Sequence, residues 1–358
     1  MSQGWTVFWA VLLAVQSLFP GAERQQKDIR EWTESGTLAR AVIAAELELP
    51  RETLFPAEPV SRQEAPPPTR EPEPKPTPEP ESVPEPACTP EPELVPEPTP
   101  ACTPEPELRS FSDAPGLEIR NTTSYAVDIS ALLAEPLTQR LPKDRPQILI
   151  VHTHGTEAYR PVPGEEYEAS DPYRTTDTAH SVVHIGDVLT EELEGMGLSV
   201  LHDRTSYDYP EYSESYARCG AAVEEWLRQY PDIGVVIDLH RDAVGDETVV
   251  YRSCAVTPEA SSAQVMLVVG TGEIGLEHPL WRDNLRLALQ MQSAMVGLCP
   301  SLARSVSLVP ERYNQQLTTG SLILEVGTTG NTLSEAELAV RLYARSVGPL
   351  LLSLVEPD

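Results

Sequence analysis

From about residue 117 to the end, the sequence predicts an α/β fold: a mostly parallel sheet with helices on both faces. Two observations carry this expectation. Short runs of Ile, Leu and Val alternate with helix-length segments, the pattern of strand-helix-strand units. Three of the runs also break abruptly into His or Glu, in QILIVHTHGTE (147–157), IGVVIDLHRD (233–242) and SLILEVG (321–327). A buried strand has no packing reason to end that way unless the polar group faces a site.

The elements follow in order. A first strand is expected at 147–153, with a helix at 179–196, a strand at 198–202 and a helix at 214–229. The third apolar run gives a strand at 233–239, followed by strands at 248–256 and 263–270. A helix at 280–298 leads to strands at 305–309 and 320–326 and to a final helix at 334–353. Thr332 with Glu335 three residues on is a capping-box spacing that marks the start of this last helix. In open α/β sheets ligands bind beyond the carboxyl ends of the strands, where His154, His240 and Glu325 fall.

The preceding third of the chain has another character. Of the 36 prolines in 358 residues, 17 lie between Glu64 and Leu108, together with 11 glutamates, two basic residues and no glycine. That composition favours disorder with extended polyproline II character over a packed core. At ~3.1 Å per residue the stretch reaches roughly 130 Å, a stiff acidic spacer suited to a surface enzyme working in a cell wall. Within it ACTPEPEL occurs at 87–94 and again at 101–108, a low-complexity duplication. Trp5 to Phe19 is apolar but shorter than a comfortable bilayer span and has no basic residue before it, so residues 1–24 are read as a signal peptide or membrane anchor. Either one exports the rest. Residues 25–63 form a charged juxtamembrane segment with an amphipathic stretch at 38–49, to which no function is assigned. The expected organisation is therefore 1–24, 25–63, a linker at 64–110 and a catalytic domain at 117–358.

Charge and cysteines narrow the classes. A formal net charge of -29 excludes nucleic acid as a partner, because phosphate neutralisation needs clustered Lys and Arg. Cys88 and Cys102 sit in the two repeat copies and could pair with each other or between chains in an oxidising space, whereas Cys219, Cys254 and Cys299 lie in apolar contexts that read as core. There is no C-x-x-C, so structural zinc fingers and thioredoxin chemistry are unsupported.

His154 and Glu157 form an H-x-x-E on the loop leaving the first strand, and His240 ends the third. Two imidazoles and a carboxylate make a three-ligand zinc set with a fourth position for water, the catalytic arrangement. Glu325 is the candidate proton acceptor and donor. The third ligand has alternatives in Asp177 and His180, just before the helix starting at Ser181. His152 is expected to point away from His154 and to be packed. His180 and His184, spaced i, i+4 without a Glu after the first His, read as helix surface, and His202 and His278 as structural. Arg241 and Asp242 flank the second histidine and are candidates for orienting it or binding a charged peptide; Asn314, on the loop before the last strand, is a further substrate contact. Zinc carboxypeptidases share the residue kinds and their order, an analogy that supports metallohydrolase chemistry without fixing a substrate. The competing class is an exported binding module that recognises its ligand without cutting it.

The segments VHTHGTEAY (151–159), RTTD (174–177), IGDVL (185–189), HDRTSYDYPEYSESYARC (202–219), YPDIGVVIDLHRDA (230–243), YNQQL (313–317) and LILEVGTTGNTLSEA (322–336) resemble the stage II sporulation protein P family across most of 145–355. The resemblance implies a fold like that of zinc-dependent N-acetylmuramoyl-L-alanine amidases. It implies a peptidoglycan hydrolase of endospore-forming bacteria that cuts the amide between N-acetylmuramic acid and L-alanine, with endopeptidase activity on cross-links. It also implies anchoring in the mother-cell membrane, a lytic transglycosylase and a membrane protein as partners, and a role in septal thinning and engulfment. Residue by residue it places His154, His240 and Glu325 in the active site with Glu157 beside them. Asn or a similar residue is expected in the family where this chain has His180, a departure that weakens a ligand role there.

Overall fold

The computed structural model describes residues 106–112, 116–246, 248–257 and 260–357. The apolar segment at 5–19, the stretch at 38–49, the Pro/Glu spacer up to residue 105, and Cys88 with Cys102 lie outside the described residues.

The chain order is β1 (Glu107–Phe111), β2 (Ile119–Asn121), α1 (Ile129–Ala134), β3 (Ile148–Val151), α2 (Val182–Gly195), β4 (Val200–His202), α3 (Ser215–Gln229) and β5 (Val235–Asp242). It continues with β6 (Val249–Ser253), β7 (Val265–Gly270), α4 (Trp281–Leu298), β8 (Val306–Val309), β9 (Ser321–Thr328) and α5 (Leu333–Leu352). The seven-stranded sheet has the order β2-β8-β7-β9-β5-β3-β4, every pairing parallel except β7 with β9. A parallel return needs a crossover of a dozen or more residues, usually a helix. The link from β8 to β9 holds only a 3-10 turn at Gln315–Leu317, so β9 runs back against β7.

Alternation along the strands assigns the two faces. Ile148 and Ile150 of β3, Val235, Ile237 and Leu239 of β5, and Leu322, Leu324 and Val326 of β9 pack with α2, α4 and α5 into the main core. Leu149, Val151 and Val236 point the other way and meet Cys219 and Val223 of α3 in a smaller cluster. Three of the helices start where a side chain satisfies their free N–H groups, α1 by Asp128, which accepts from Ala131 N. Ser181 accepts from Val183 N at α2, and at α5 Thr332 accepts from Glu335 N while the Glu335 carboxylate accepts from Thr332 N, the predicted capping box.

Several expectations are corrected. The strand predicted at 248–256 is β6, and it stands outside the main sheet, paired in parallel with β1. β1 itself lies at the end of the stretch read as linker to residue 110. Cys219 is buried as expected, but Cys254 and Cys299 are only half-buried, and all three are free thiols. Among the described residues no helix is long and apolar enough to cross a membrane.

Candidate active site

β3, β5 and β9 are mutually parallel neighbours, so their carboxyl ends open on one edge of the sheet. His240 and Glu325 are register partners on adjacent strands and therefore project side by side from the same face, the one covered by α3. Beyond them the register shifts between His240 and Asp242, where β9 carries an extra residue and Gly327 adopts φ +72. Such a bulge re-aims the side chains beside it.

The H-x-x-E segment turns back on itself, Glu157 N donating to His154 O at 3.0 Å. Gly155 permits this course: a Cβ there would meet Ser206 Oγ at 2.6 Å and Ser206 Cα at 2.8 Å. Glu157 bridges to Arg174 and Ala158 to Ser181, so the loop is stitched to the RTTD segment and to the cap of α2. The result brings three predicted residues together. His240 Nδ1 lies 3.4 Å from Glu157 Oε2, and the rings of His154 and His240 stand 5.3 Å apart and nearly perpendicular. Arg241 N donates to Glu157 Oε2 at 3.2 Å, and Arg174 Nη2 lies 3.5 Å from Oε1.

The electrostatics follow from burial and these neighbours. Burial would raise the Glu157 carboxyl, but Arg241, His240 and His154 hold it well below the usual carboxylate range. Burial opposes a charge on His240, yet Asp238 and Glu157 carry it well above the ordinary imidazole value. His154 goes the other way, pushed down to about 4 chiefly by burial. Glu325 is pushed up to about 8, again by burial, with Asp242 and Glu157 adding to the rise.

His154 Nδ1, His240 Nε2 and Glu325 Oε2 are buried without a hydrogen-bond partner in the protein. His240 Nε2 comes within 2.8 Å of Asp238 Oδ1, an oxygen that also accepts from Thr153 N at 2.8 Å. An unsatisfied buried polar atom costs about 1–3 kcal/mol, so three in one site mark a place built to be completed by something bound. Two imidazoles and a carboxylate fit a zinc ion in donor chemistry. The side chains are not drawn into a closed set: among the described residues no three His, Cys, Asp or Glu groups are arranged to hold a metal.

Other predicted residues are placed differently. Asp177 and His180 pair with each other, His180 Nδ1 lying 2.8 Å from Asp177 Oδ2, and Asp177 caps the 3-10 turn Thr178–His180. Arg241 donates from Nε to Ala158 O at 2.9 Å and from Nη2 to Tyr173 O at 3.1 Å, while Asp242 pairs with Arg304 at 2.6 Å. Asn314 donates to Tyr216 O at 2.7 Å, clamping the first turn of α3 against the loop before β9. His184 meets Glu337 on the helix surface at 2.8 Å, and His278 is buried beside Asn284.

His152 does point away from His154, though alternation is not the reason, since residues two apart on a strand share a face. His152 continues the parity of Ile148 and Ile150 into the main-core side, and it is the turn after Val151 that carries His154 to the other face. His152 contacts Leu239 O at 2.9 Å and His202 Nε2 at 2.8 Å.

Sequence reasoning misses four contributors to the site. Asp238 shares its strand parity with His240 and sits inside an apolar run, a signal that could have found it. Arg174 joins Glu157 to Asp208, whose carboxylate accepts from Thr156. Tyr212 stacks on the His154 ring at 4.6 Å with its hydroxyl 3.1 Å from Nε2, and Tyr216 meets the same ring edge-on at 5.4 Å. The arginine and the tyrosines arrive from distant segments and leave no local pattern.

Similar proteins give the arrangement a lineage. The family model described as Stage II sporulation protein P (SpoIIP) matches residues 73–348. Stage II sporulation protein P of Bacillus subtilis (strain 168) is 27% identical over 212 residues, covering 56% of this chain and 50% of that protein. The chain thus spans about half the length of this curated relative. Among solved structures, N-acetylmuramoyl-L-alanine amidase AmiC2 of Nostoc punctiforme is similar at 10% identity and a TM-score of 0.34, over 58% of this chain and 96% of that one. The N-acetylmuramyl-L-alanine amidase Ami1 of Mycobacterium smegmatis is similar at 13% identity and a TM-score of 0.34, over 60% of this chain and all (100%) of that one. Likenesses this loose carry no weight for activity. The family match takes in both site histidines and both glutamates, and with it the chain belongs to the stage II sporulation protein P family.

Proposed function

We propose that this chain is a zinc-dependent peptidoglycan hydrolase that cleaves the amide between N-acetylmuramic acid and L-alanine, with endopeptidase activity on cross-links. The observation that carries the reading is the convergence of His154, His240 and Glu325 with one unpartnered buried polar atom each, beside an ionised Glu157. Family membership supplies the substrate class. The same membership supports a role in septal wall degradation during sporulation engulfment, with a lytic transglycosylase and a membrane protein as partners. The N-terminal segment would anchor the chain at the septal membrane, outside the cytoplasm.

His154, Glu157 and His240 would hold the zinc, which when bound supplies Lewis-acid polarisation of a carbonyl and acidifies water. The protein's own groups do the rest. Arg241 N and Arg174 fix the Glu157 carboxylate, and Asp238 stands 2.8 Å from the His240 ring. Glu325, once ionised, would take a proton from the attacking water and return it to the leaving nitrogen; the bound cation would favour that ionised form against the burial that raises the group in the metal-free protein. Its place beside His240 on the adjacent strand supports that role.

Purified peptidoglycan digested with the wild-type chain should release peptides that begin with L-alanine and leave bare muramic acid. A stem-peptide carboxypeptidase or endopeptidase would leave L-alanine on the sugar. Protein that binds peptidoglycan and releases nothing, with or without added zinc, would sink the hydrolase reading in favour of a binding module.

A further inference from the structure

His154 has one ring nitrogen taken and one left over. Its Nε2 lies 3.1 Å from the Tyr212 hydroxyl, and its Nδ1 is buried without a hydrogen-bond partner in the protein. The Tyr212 ring lies almost flat on the imidazole, with centroids 4.6 Å apart and planes 10° from parallel. Tyr212 is half exposed, yet the loop that carries it is tied down. Asp208, on the same loop, accepts from Thr156 N at 3.2 Å and from Thr156 Oγ1 at 2.5 Å, and it pairs with Arg174 at 2.6 Å. Ser206 packs so closely on Gly155 that a Cβ there would have no room. The Arg174 guanidinium carbon stands 4.9 Å from the centre of the Tyr212 ring. The Tyr212 loop is thus fixed to the H-x-x-E turn that carries His154, and the contact between the two side chains is built from both sides.

A phenol hydroxyl both donates and accepts, so the contact alone allows two arrangements. If Tyr212 donates, the single proton of a neutral His154 sits on Nδ1, where a buried N–H is stranded with no acceptor. Buried polar groups are rarely left so. If His154 Nε2–H donates to the Tyr212 oxygen, that bond is made and Nδ1 keeps a lone pair ready for a bound cation. A metal-binding histidine is neutral, and the hydrogen bond made by its other nitrogen sets which one meets the metal.

We propose that Tyr212 is a positioning residue: its phenol oxygen accepts the Nε2 proton of His154 and so fixes the tautomer in which Nδ1 is the nitrogen offered to zinc. The inference rests on the reading of His154 as a zinc ligand given above. The flat stack adds orientation, because it holds the plane of the imidazole against rotation. Tyr212 is not itself a ligand in this arrangement, since its oxygen is engaged by Nε2.

Tyr212→Phe keeps the ring and removes only the oxygen. In the metal-free full-length chain carrying isotopically labelled histidine, long-range proton-nitrogen correlation spectra should show wild-type His154 protonated at Nε2, with His154→Gln identifying its signals. In Tyr212→Phe that preference should give way to a mixture of tautomers. The dissociation constant for zinc, read by competition with a chromogenic chelator, should rise about tenfold, the lower end of what loss of such a partner costs. Because Tyr212 is half exposed, thermal unfolding of the metal-free variant should match wild type. Wild-type His154 protonated at Nδ1 would overturn the proposal, and so would unchanged zinc affinity in Tyr212→Phe, whatever its tautomer. A wild type that binds no zinc, or binds it as well after His154→Gln, would remove the ligand reading itself and the positioning role with it. That failure is told apart by the silence of His154→Gln.

Discussion

His152 and His154 are two residues apart in the sequence and lie on opposite faces of the sheet, and they differ in how their ring nitrogens are satisfied. His152 is fully buried with a partner on each nitrogen, Leu239 O and His202, and the line of contacts continues through His202 to Asp187 at the surface. His154 is nearly as buried, yet its Nδ1 has no partner, and His240 Nε2 and Glu325 Oε2 share that condition. Burial alone therefore does not separate the two histidines. The clustering of unpartnered atoms does, because His154, His240 and Glu325 stand together, whereas His278 Nδ1 is unpartnered elsewhere.

The largest effect should come from breaking the unsatisfied side. His154→Ala or Glu325→Gln should lower the rate of peptide release by about 10²–10⁴-fold, the range for losing a general acid-base or its site. Glu325→Gln should leave the urea midpoint of unfolding unchanged or raised, since it removes a buried carboxyl that lacks a partner for one oxygen. The satisfied side should respond in the opposite sense. His152→Ala empties a fully buried position and strips partners from Leu239 O and His202, and should cost about 2–4 kcal/mol in urea unfolding. The folded fraction should retain peptide release within a few-fold of wild type.

Protonation gives a third handle. His152 is pushed down to about 3 and His202 to about 4, in both cases first by burial, from an ordinary value of 6.5. Unfolding releases both to take up protons between pH 6.5 and 4, so stability should fall as the pH drops through that window. Glu325 acts at the other end: its raised value means the native state holds a proton that the unfolded state gives up above pH 4.5, so it draws stability down as the pH rises toward 8. Urea unfolding across pH 4 to 8 should show both limbs, and His202→Gln should flatten the acid limb while Glu325→Gln flattens the alkaline one.

Smaller effects should mark the supports of each face. Gly327→Ala strains a φ of +72 and brings a Cβ to 3.0 Å from Ala263 Cβ, at about 1–2 kcal/mol, and should lower activity more than stability because the bulge aims Glu325 and His240. Thr332→Ala removes the cap of α5, on the core side, for about 1 kcal/mol in thermal or urea unfolding with no change in rate per folded molecule.

Much of this architecture is legible in the amino-acid sequence alone. The apolar runs ending in His154, His240 and Glu325 mark the strands and the residues the sheet brings together at one edge, because a strand's parity and its polar end are local properties. Glu157 is readable for the same reason, sitting one turn from His154. Arg174, Asp208 and Tyr212 are not, since each reaches the site through a loop whose path is set by tertiary packing. Asn314 has the look of a ligand contact and is instead a clamp on α3, a role visible only once its partner Tyr216 is in place. The reversal of β9 against β7 is hidden as well: strand direction depends on what the connection crosses, and the apolar content of β9 is the same either way. β1 is masked by its surroundings, five residues of mixed polarity at the end of a Pro/Glu stretch.

That strand has a mechanical consequence. β1 is where the described chain begins, and it is held to β6 in a two-stranded ladder of five register positions, separate from the seven-stranded sheet. A pull on the chain before Pro106 would load this ladder first. The ladder could peel and lengthen the tether by a few residues while the sheet that carries His154, His240 and Glu325 stays under no tension, a sacrificial link between whatever holds the chain and the site that works at its end.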